Sequence, residues 1–336
     1  MKRLPGTCFA ALSLLVLLFS CSRQPGPQVQ PLRCAVCTEG SFSGLSLLPG
    51  YNREMLRRFA GDEGRETKIR LCRHAGRALD SLRSGSLDIV ALPHRASLPT
   101  DSSLTWLSAD SCGIWVFRAS DSSTAEQAGN WFGKYAKNPN YAIIRQPFLD
   151  IYNPMTRVSA DFISPYDSLL KAWADTLGWD WKLLAALIYQ ESRFRVEAVS
   201  PAGARGLMQL LPSTAERYGC TDTFDPEENI MAGVRLLQVL EERYKGISRD
   251  PAERRKFALA AYNAGVGRIG DCLSYASHIG TDISIWENVA AVIPDLQKDS
   301  VAALEAVHYG TFNGQETIAF VRQVGAFHKR YRHICP

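Results

Sequence analysis

The dodecapeptide Trp181-Lys182-Leu183-Leu184-Ala185-Ala186-Leu187-Ile188-Tyr189-Gln190-Glu191-Ser192 repeats apolar side chains at a helical spacing and ends on a carboxylate. Leu184, Leu187 and Ile188 precede Glu191 by seven, four and three positions, which predicts a helix with Glu191 on its buried face. A carboxylate there has two fates. It pairs with a cation, for which Arg193, Arg195 and Arg205 are the candidates, or it sits against apolar surface in a cleft. In the second case desolvation raises its pKa and leaves a proton available near neutral pH, which describes a general acid. The residues of this stretch alone leave both open.

The flanking sequence reads as helices separated by Gly and Pro breaks. Ser164-Pro165 predicts a helix start with Pro at the first helical position, and Gly178 a stop. Further helices are predicted over Trp179–Phe194, Pro212–Tyr218, Pro226–Tyr244, Pro251–Asn263 and Thr317–Tyr331, so residues 161–336 read as all-α. Residues 32–160 differ. Leu32–Cys37 and Ile89–Leu92 read as strands and Asn52–Phe59 and Ala78–Arg83 as amphipathic helix pieces, while Ile114–Arg118 resembles the strand returning from the hinge of periplasmic solute-binding proteins and Trp131-Phe132 the opening of their last helix. The fold class expected is α+β and multidomain: an α/β lobe followed by an all-α domain.

Composition narrows the function classes. In 336 residues, 46% hydrophobic and 21% charged content is ordinary for globular protein and excludes a disordered, collagen-like or polytopic membrane chain. The formal net charge of +4 falls to +2 without Lys2 and Arg3, leaving 36 basic against 34 acidic residues. That balance, with no Lys/Arg block, makes no case for a nucleic-acid partner. Lys2-Arg3 followed by the apolar run Cys8–Phe19 reads as an export signal, too short for the ~20 residues of a spanning helix. Leu18-Phe19-Ser20-Cys21 resembles a bacterial lipobox, which implies cleavage after residue 20 and acylation of Cys21. Ser22 after that cysteine resembles the outer-membrane sorting preference of Gram-negative cells. The Pro- and Gln-rich residues 21–31 then read as a solvated tether.

Nine cysteines less Cys8 and Cys21 leave Cys34, Cys37, Cys72, Cys112, Cys220, Cys272 and Cys335, an odd number whose pairing is not legible. Cys34 and Cys37 form a C-x-x-C inside a predicted strand, where an odd spacing points them to opposite faces and favours a structural role. With no H-E-x-x-H and no second C-x-x-C, neither a metal site nor an organic cofactor is implied.

Two further motifs follow Glu191. Gly206-Leu207-Met208-Gln209 has a glycine that permits close backbone approach and an amide that both donates and accepts, while Ala261-Tyr262-Asn263 ends an apolar helix with a phenol and an amide. Taken singly, each is equally a packed turn or a helix cap. In this order, with Glu191-Ser192 and with Tyr309-Gly310, Gly314-Gln315-Glu316-Thr317 and Phe320-Val321, they resemble the catalytic domain of lytic murein transglycosylases, with Phe320 in place of a more usual Tyr. Ile163-Ser164-Pro165-Tyr166-Asp167, Gly178-Trp179-Asp180-Trp181 and Tyr189-Gln190-Glu191-Ser192 resemble the membrane-bound F family, in which a solute-binding-like domain precedes that lysozyme-like domain. Leu79–Val90, read as helix, Gly stop and strand, resembles a unit of periplasmic solute-binding proteins, and the lobe reads as a shortened one.

The resemblance implies a division into residues 1–20 (signal), 21–31 (tether), 32–160 (solute-binding-like domain) and 161–336 (catalytic domain). It implies that Glu191 is the catalytic acid acting on peptidoglycan glycan strands. Ser192 orients it, Met208 and Gln209 position the sugar, Tyr262 lines the wall, and Asn263 holds the loop or the substrate. Glu197, Asp225 and Glu316 are the nearest second carboxylates. None has the flanking pattern of a catalytic partner, and Glu316 reads as a structural hydrogen-bond acceptor. Alternative readings are a goose-type-lysozyme-like hydrolase that activates water, an inactive lipid-anchored wall-binding protein, and a ligand-gated sensor in the N-terminal half.

Overall fold

The computed structural model describes residues 30–38, 47–93, 96, 101–110, 112–149, 153–155 and 161–336. The signal segment, Cys21 and the tether up to residue 29 lie outside the described residues. Pro31–Pro336 form one compact unit.

The first elements alternate: β1 (Leu32–Cys37), α1 (Leu48–Asp62), β2 (Thr67–Cys72), α2 (Ala75–Arg83) and β3 (Ile89–Leu92), then β4 (Leu104–Asp110), β5 (Gly113–Arg118), α3 (Ser122–Tyr135) and α4 (Asn140–Leu149). The strands make one sheet in the order β2-β1-β3-β5-β4, with β1 parallel to β2 and β3, and β5 antiparallel to β3 and β4. Parallel neighbours need crossover connections, which α1 and α2 supply. Cys34 packs with Tyr51, Phe59 and Trp115, while Cys37 packs with Ala78, Leu82 and Val116. The odd spacing of the two cysteines therefore does send them to opposite faces of the sheet. Trp131 and Phe132 do not open a helix. They lie in the last turns of α3, whose start is set by Asp121 accepting from the Thr124 amide, and they pack on Trp115 with ring centroids 6.4 and 4.7 Å away.

From Asp161 the described chain is helical apart from isolated bridges: α5 (Asp167–Leu177), α6 (Trp181–Ser192), α7 (Pro212–Arg217), α8 (Pro226–Arg243), α9 (Pro251–Ala264), α10 (Val266–His278), α11 (Trp286–Val292), α12 (Asp299–Ala302) and α13 (Gln315–Ile334). The α+β class read from the sequence holds. Pro165, however, is not the first helical residue. The Asp167 carboxylate accepts from the amides of Ile163 and Ser164 at 2.7 and 2.8 Å, so residues 163–166 form a turn and α5 starts at Asp167. Gly178 ends α5 in the left-handed region at φ 69°, as expected. Trp179 falls outside α6 because Asp180 caps it, accepting from the Lys182 amide at 3.0 Å. One continuous core joins both halves, running from Tyr51 and Trp115 to Leu184, Leu187 and Phe257. Among the described residues no helix is long and apolar enough to cross a membrane.

Candidate active site

Seven consecutive residues of α6, Leu183–Tyr189, are buried, so the helix runs through the core and brings Glu191 to the edge of it in its last turn. Glu191 itself is half-buried. Burial pushes its carboxyl up to about 8, and the negative charge of Glu316 on α13 adds to the rise. The three arginines that could have neutralised it are engaged elsewhere. The Arg193 guanidinium lies 4.2 Å from the Tyr189 ring centre, Arg195 pairs with Glu197 at 3.0 Å, and Arg205 faces the Phe224 ring. Among the described residues Glu191 has no ion pair, so the paired alternative left open by the sequence is not what forms.

Beyond α6 the chain leaves through two non-glycine residues in the left-handed region, Arg193 and Phe194, and returns as the turn that holds the second motif. Gln209 is also left-handed, at φ 47°. Its side-chain amide donates to the carbonyls of Ala198 and Gly206 at 3.1 and 2.9 Å, which fixes the carboxamide with Oε1 as its remaining acceptor. Met208 is buried, its amide donating to Asn229 Oδ1 at 2.8 Å and its carbonyl accepting from the Tyr262 hydroxyl at 2.5 Å. Burial, and after it the charge of Glu191, hold the Tyr262 phenol well above its ordinary pKa, so it stays a donor.

The third motif closes the arrangement at the junction of α9 and α13. Asn263 Oδ1 accepts from the buried Thr317 hydroxyl at 2.7 Å, which ties the end of α9 to the first turn of α13, where Glu316 sits. The structure thus brings Glu191, Met208, Gln209 and Tyr262 to one place, with Asn263 one residue away. Ser192 does not face them: it is buried and its hydroxyl donates to the Ile188 carbonyl of its own helix at 3.2 Å.

Of the other carboxylates, Glu197 is held by Arg195, and Asp225 caps α8 by accepting from the amides of Glu227 and Glu228, both at 3.0 Å. Glu316 is exposed and accepts no hydrogen bond from a described residue, so the structural acceptor expected there does not form. Its position instead acts on Glu191 through charge. Among the described residues no cluster of His, Cys, Asp and Glu could hold a metal ion. Sequence reasoning missed Asn229 and named Thr317 only within the Gly314–Thr317 motif and as a helix start, with no role at the site; both are buried polar side chains that support the site. Asn229 did leave one trace, a polar residue inside the apolar stripe of Ile230, Val234 and Leu237.

Residues 168–285 match the family described as Transglycosylase SLT domain. The chain is 33% identical over 219 residues to a membrane-bound lytic murein transglycosylase F of Desulfosudis oleivorans, covering 62% of this chain and 47% of the relative. It is 37% identical over 194 residues to one of Maricaulis maris, covering 58% and 40%. The chain therefore spans less than half the length of these relatives. The crystal structure of the 70 kDa soluble lytic transglycosylase SLT70 from Escherichia coli aligns with 28% identity over 51% of this chain and 24% of that one, at a TM-score of 0.34. Glu191, the Gly206–Gln209 turn and Tyr262-Asn263 lie inside residues 168–285, the stretch that matches the transglycosylase SLT domain, while Glu316 and Thr317 lie beyond it, and the chain is similar to the membrane-bound lytic murein transglycosylases that its motifs resemble.

Proposed function

We propose that the chain cleaves the β-1,4 bond between N-acetylmuramic acid and N-acetylglucosamine in peptidoglycan without consuming water, leaving a 1,6-anhydromuramoyl end. The observation that carries this reading is the state of Glu191: a carboxyl without an ion-pair partner among the described residues, held protonated to about pH 8. Most glycosidases place a second carboxylate beside such an acid as nucleophile or as base for water. Here Glu197 and Asp225 are occupied, and Glu316 on the exposed first turn of α13 serves by keeping the proton on Glu191.

A single acid suffices when the substrate supplies the nucleophile. Glu191 gives its proton to the glycosidic oxygen as the bond to C1 breaks, and the leaving sugar departs as an alcohol. The carboxylate so formed takes the proton of the muramoyl C6 hydroxyl as that oxygen bonds to C1, which restores the acid. Intramolecular attack has a high effective molarity, and this offsets the missing second carboxylate. In this reading Gln209 Oε1 accepts from a sugar amide or hydroxyl, the Met208 and Tyr262 pair forms the wall, and Asn263 holds the junction. Ser192 acts only by steadying the last turn of α6.

Digestion of purified sacculi with mass spectrometry of the sugar ends tests the proposal. Anhydro ends from wild type and at least about a hundredfold less product from Glu191→Gln are expected. Reducing ends would assign the hydrolytic reaction instead, and equally little release by wild type and Glu191→Gln would leave a wall-binding role. The same reading divides the chain into residues 32–160 and 161–336, and makes residues 1–20 a signal and Cys21 a lipid-anchored first residue facing the periplasm from the outer membrane. The relatives' description as membrane-bound supports an envelope location. Cys21→Ser should move the protein from the membrane fraction to the soluble one.

A further inference from the structure

Arg53, on α1, is one of the few charged residues buried among those described, at 8% exposure. Its Nη1 donates to the Ile69 carbonyl of β2 at 3.2 Å, and its Nη2 reaches Asp222 Oδ2 and Asp225 Oδ2 at 2.9 and 2.8 Å. Those two aspartates frame the turn that leads into α8, and Asp225 caps that helix with its other oxygen. One turn further on, the fully buried Asn229 donates to the carbonyls of Arg205 and Thr223 at 3.2 and 2.8 Å and accepts from the Met208 amide. The fit leaves no slack. A Cβ on Gly206 would lie 2.1 Å from the Thr223 carbonyl oxygen, and one on Gly233 would lie 2.2 Å from Met208 Sδ.

The Gly206–Gln209 turn therefore rests on the first two turns of α8 and on residues 222–225, and Arg53 grips that bed from the α/β part, outside the stretch matching the transglycosylase SLT domain. We infer that Arg53 is a positioning residue for the site: through Asp222 and Asp225 it fixes α8 and Asn229, and through them Met208 and Gln209. A buried guanidinium is a poor choice if adhesion is all that is needed, because apolar side chains hold two layers together without its desolvation cost. What apolar groups cannot do is hold two carboxylates and a carbonyl in one orientation. The inference rests on the proposed reaction for its kinetic consequence, but not for its structural one.

The test uses the full chain with Arg53→Met and Arg53→Lys, read by amide hydrogen exchange and by the kcat and KM of anhydro-end release. In Arg53→Met the Met208 amide should exchange roughly tenfold faster, while those of Leu187 and Ala260 keep their wild-type rates. Misplacement of the turn should lower kcat about tenfold. Arg53→Lys, which keeps one charge but not the fork, should recover part of both. Folded Arg53→Met with wild-type Met208 exchange and wild-type kcat would overturn the inference. Should Arg53→Met not fold, Asp225→Asn keeps a capping oxygen, removes one of the two charges that Arg53 holds, and is read in the same way. If wild type releases no anhydro ends, the proposed reaction falls while Met208 exchange still decides whether Arg53 holds the turn.

Discussion

Glu191 binds its proton more tightly in the folded chain than in an unfolded one, where a glutamate titrates near 4.5. Its contribution to stability is therefore fully present below about pH 4.5 and is lost as pH rises toward about 8. Glu191→Gln, which cannot ionise, should match wild type near pH 4 and exceed it by roughly 4 kcal/mol at pH 8 in urea titrations. Activity runs the same way: anhydro-end release should fall as pH rises through about 8, because the acid form is lost. Glu316→Gln removes the neighbouring charge and should move that alkaline limb to lower pH by roughly half a unit. Tyr262→Phe leaves the Met208 carbonyl without its donor and should cost about 1 kcal/mol of stability by urea titration. The acid was legible in the sequence because three apolar neighbours at helical spacing fix the face on which it lies. The roles of Asn229, Thr317 and Arg53 were not, since the partners that tie them to the site, Met208, Asn263 and Asp225, are 21 to 172 residues away and a contact of that kind leaves no spacing to read.

At the level of elements, the α8 bed and the turn above it are coupled by close approach as well as by hydrogen bonds. Gly206 has φ 76° and faces the Thr223 carbonyl, so Gly206→Ala should destabilise the fold by about 2 kcal/mol or more in urea. Asn229→Leu would strand the Met208 amide and two carbonyls, at a cost of about 3 kcal/mol or more. Two helix starts were legible to the residue: Asp225-Pro226 and Asp250-Pro251 each put a capping carboxylate before a proline that needs no donor. Ends were less so. Tyr262-Asn263 was read as the end of a helical run, and α9 does stop one residue later at Ala264, yet Gly265, with φ 88° and ψ 149°, opens α10 with no linker between them. The aromatic pair Trp131-Phe132 was misplaced for a related reason: its apolar character reports the cluster it fills, whereas Asp121, ten residues earlier, decides where the helix begins.

Across the whole molecule the continuous core sets the cooperativity. Because Tyr51, Phe59 and Trp115 pack into the same apolar body as Leu184, Leu187 and Phe257, residues 31–336 should lose far-ultraviolet ellipticity and tryptophan emission in one coincident urea transition. Two separated midpoints would show instead that the α/β and helical parts open independently. The change from mixed strands and helices to helices alone was visible in the residue pattern, but the sharing of one core was not, since periodicity tells which face is buried and not what buries it. At the seam, Tyr166 lies so close to α1 that a methyl group on Gly50 would come within 2.7 Å of its hydroxyl, and its ring meets that of Phe148 edge-on. Anyone transplanting the helical half onto a foreign anchor or carrier would therefore uncover an oily scar on the graft, and a successful chimera will have to carry α1 along with it.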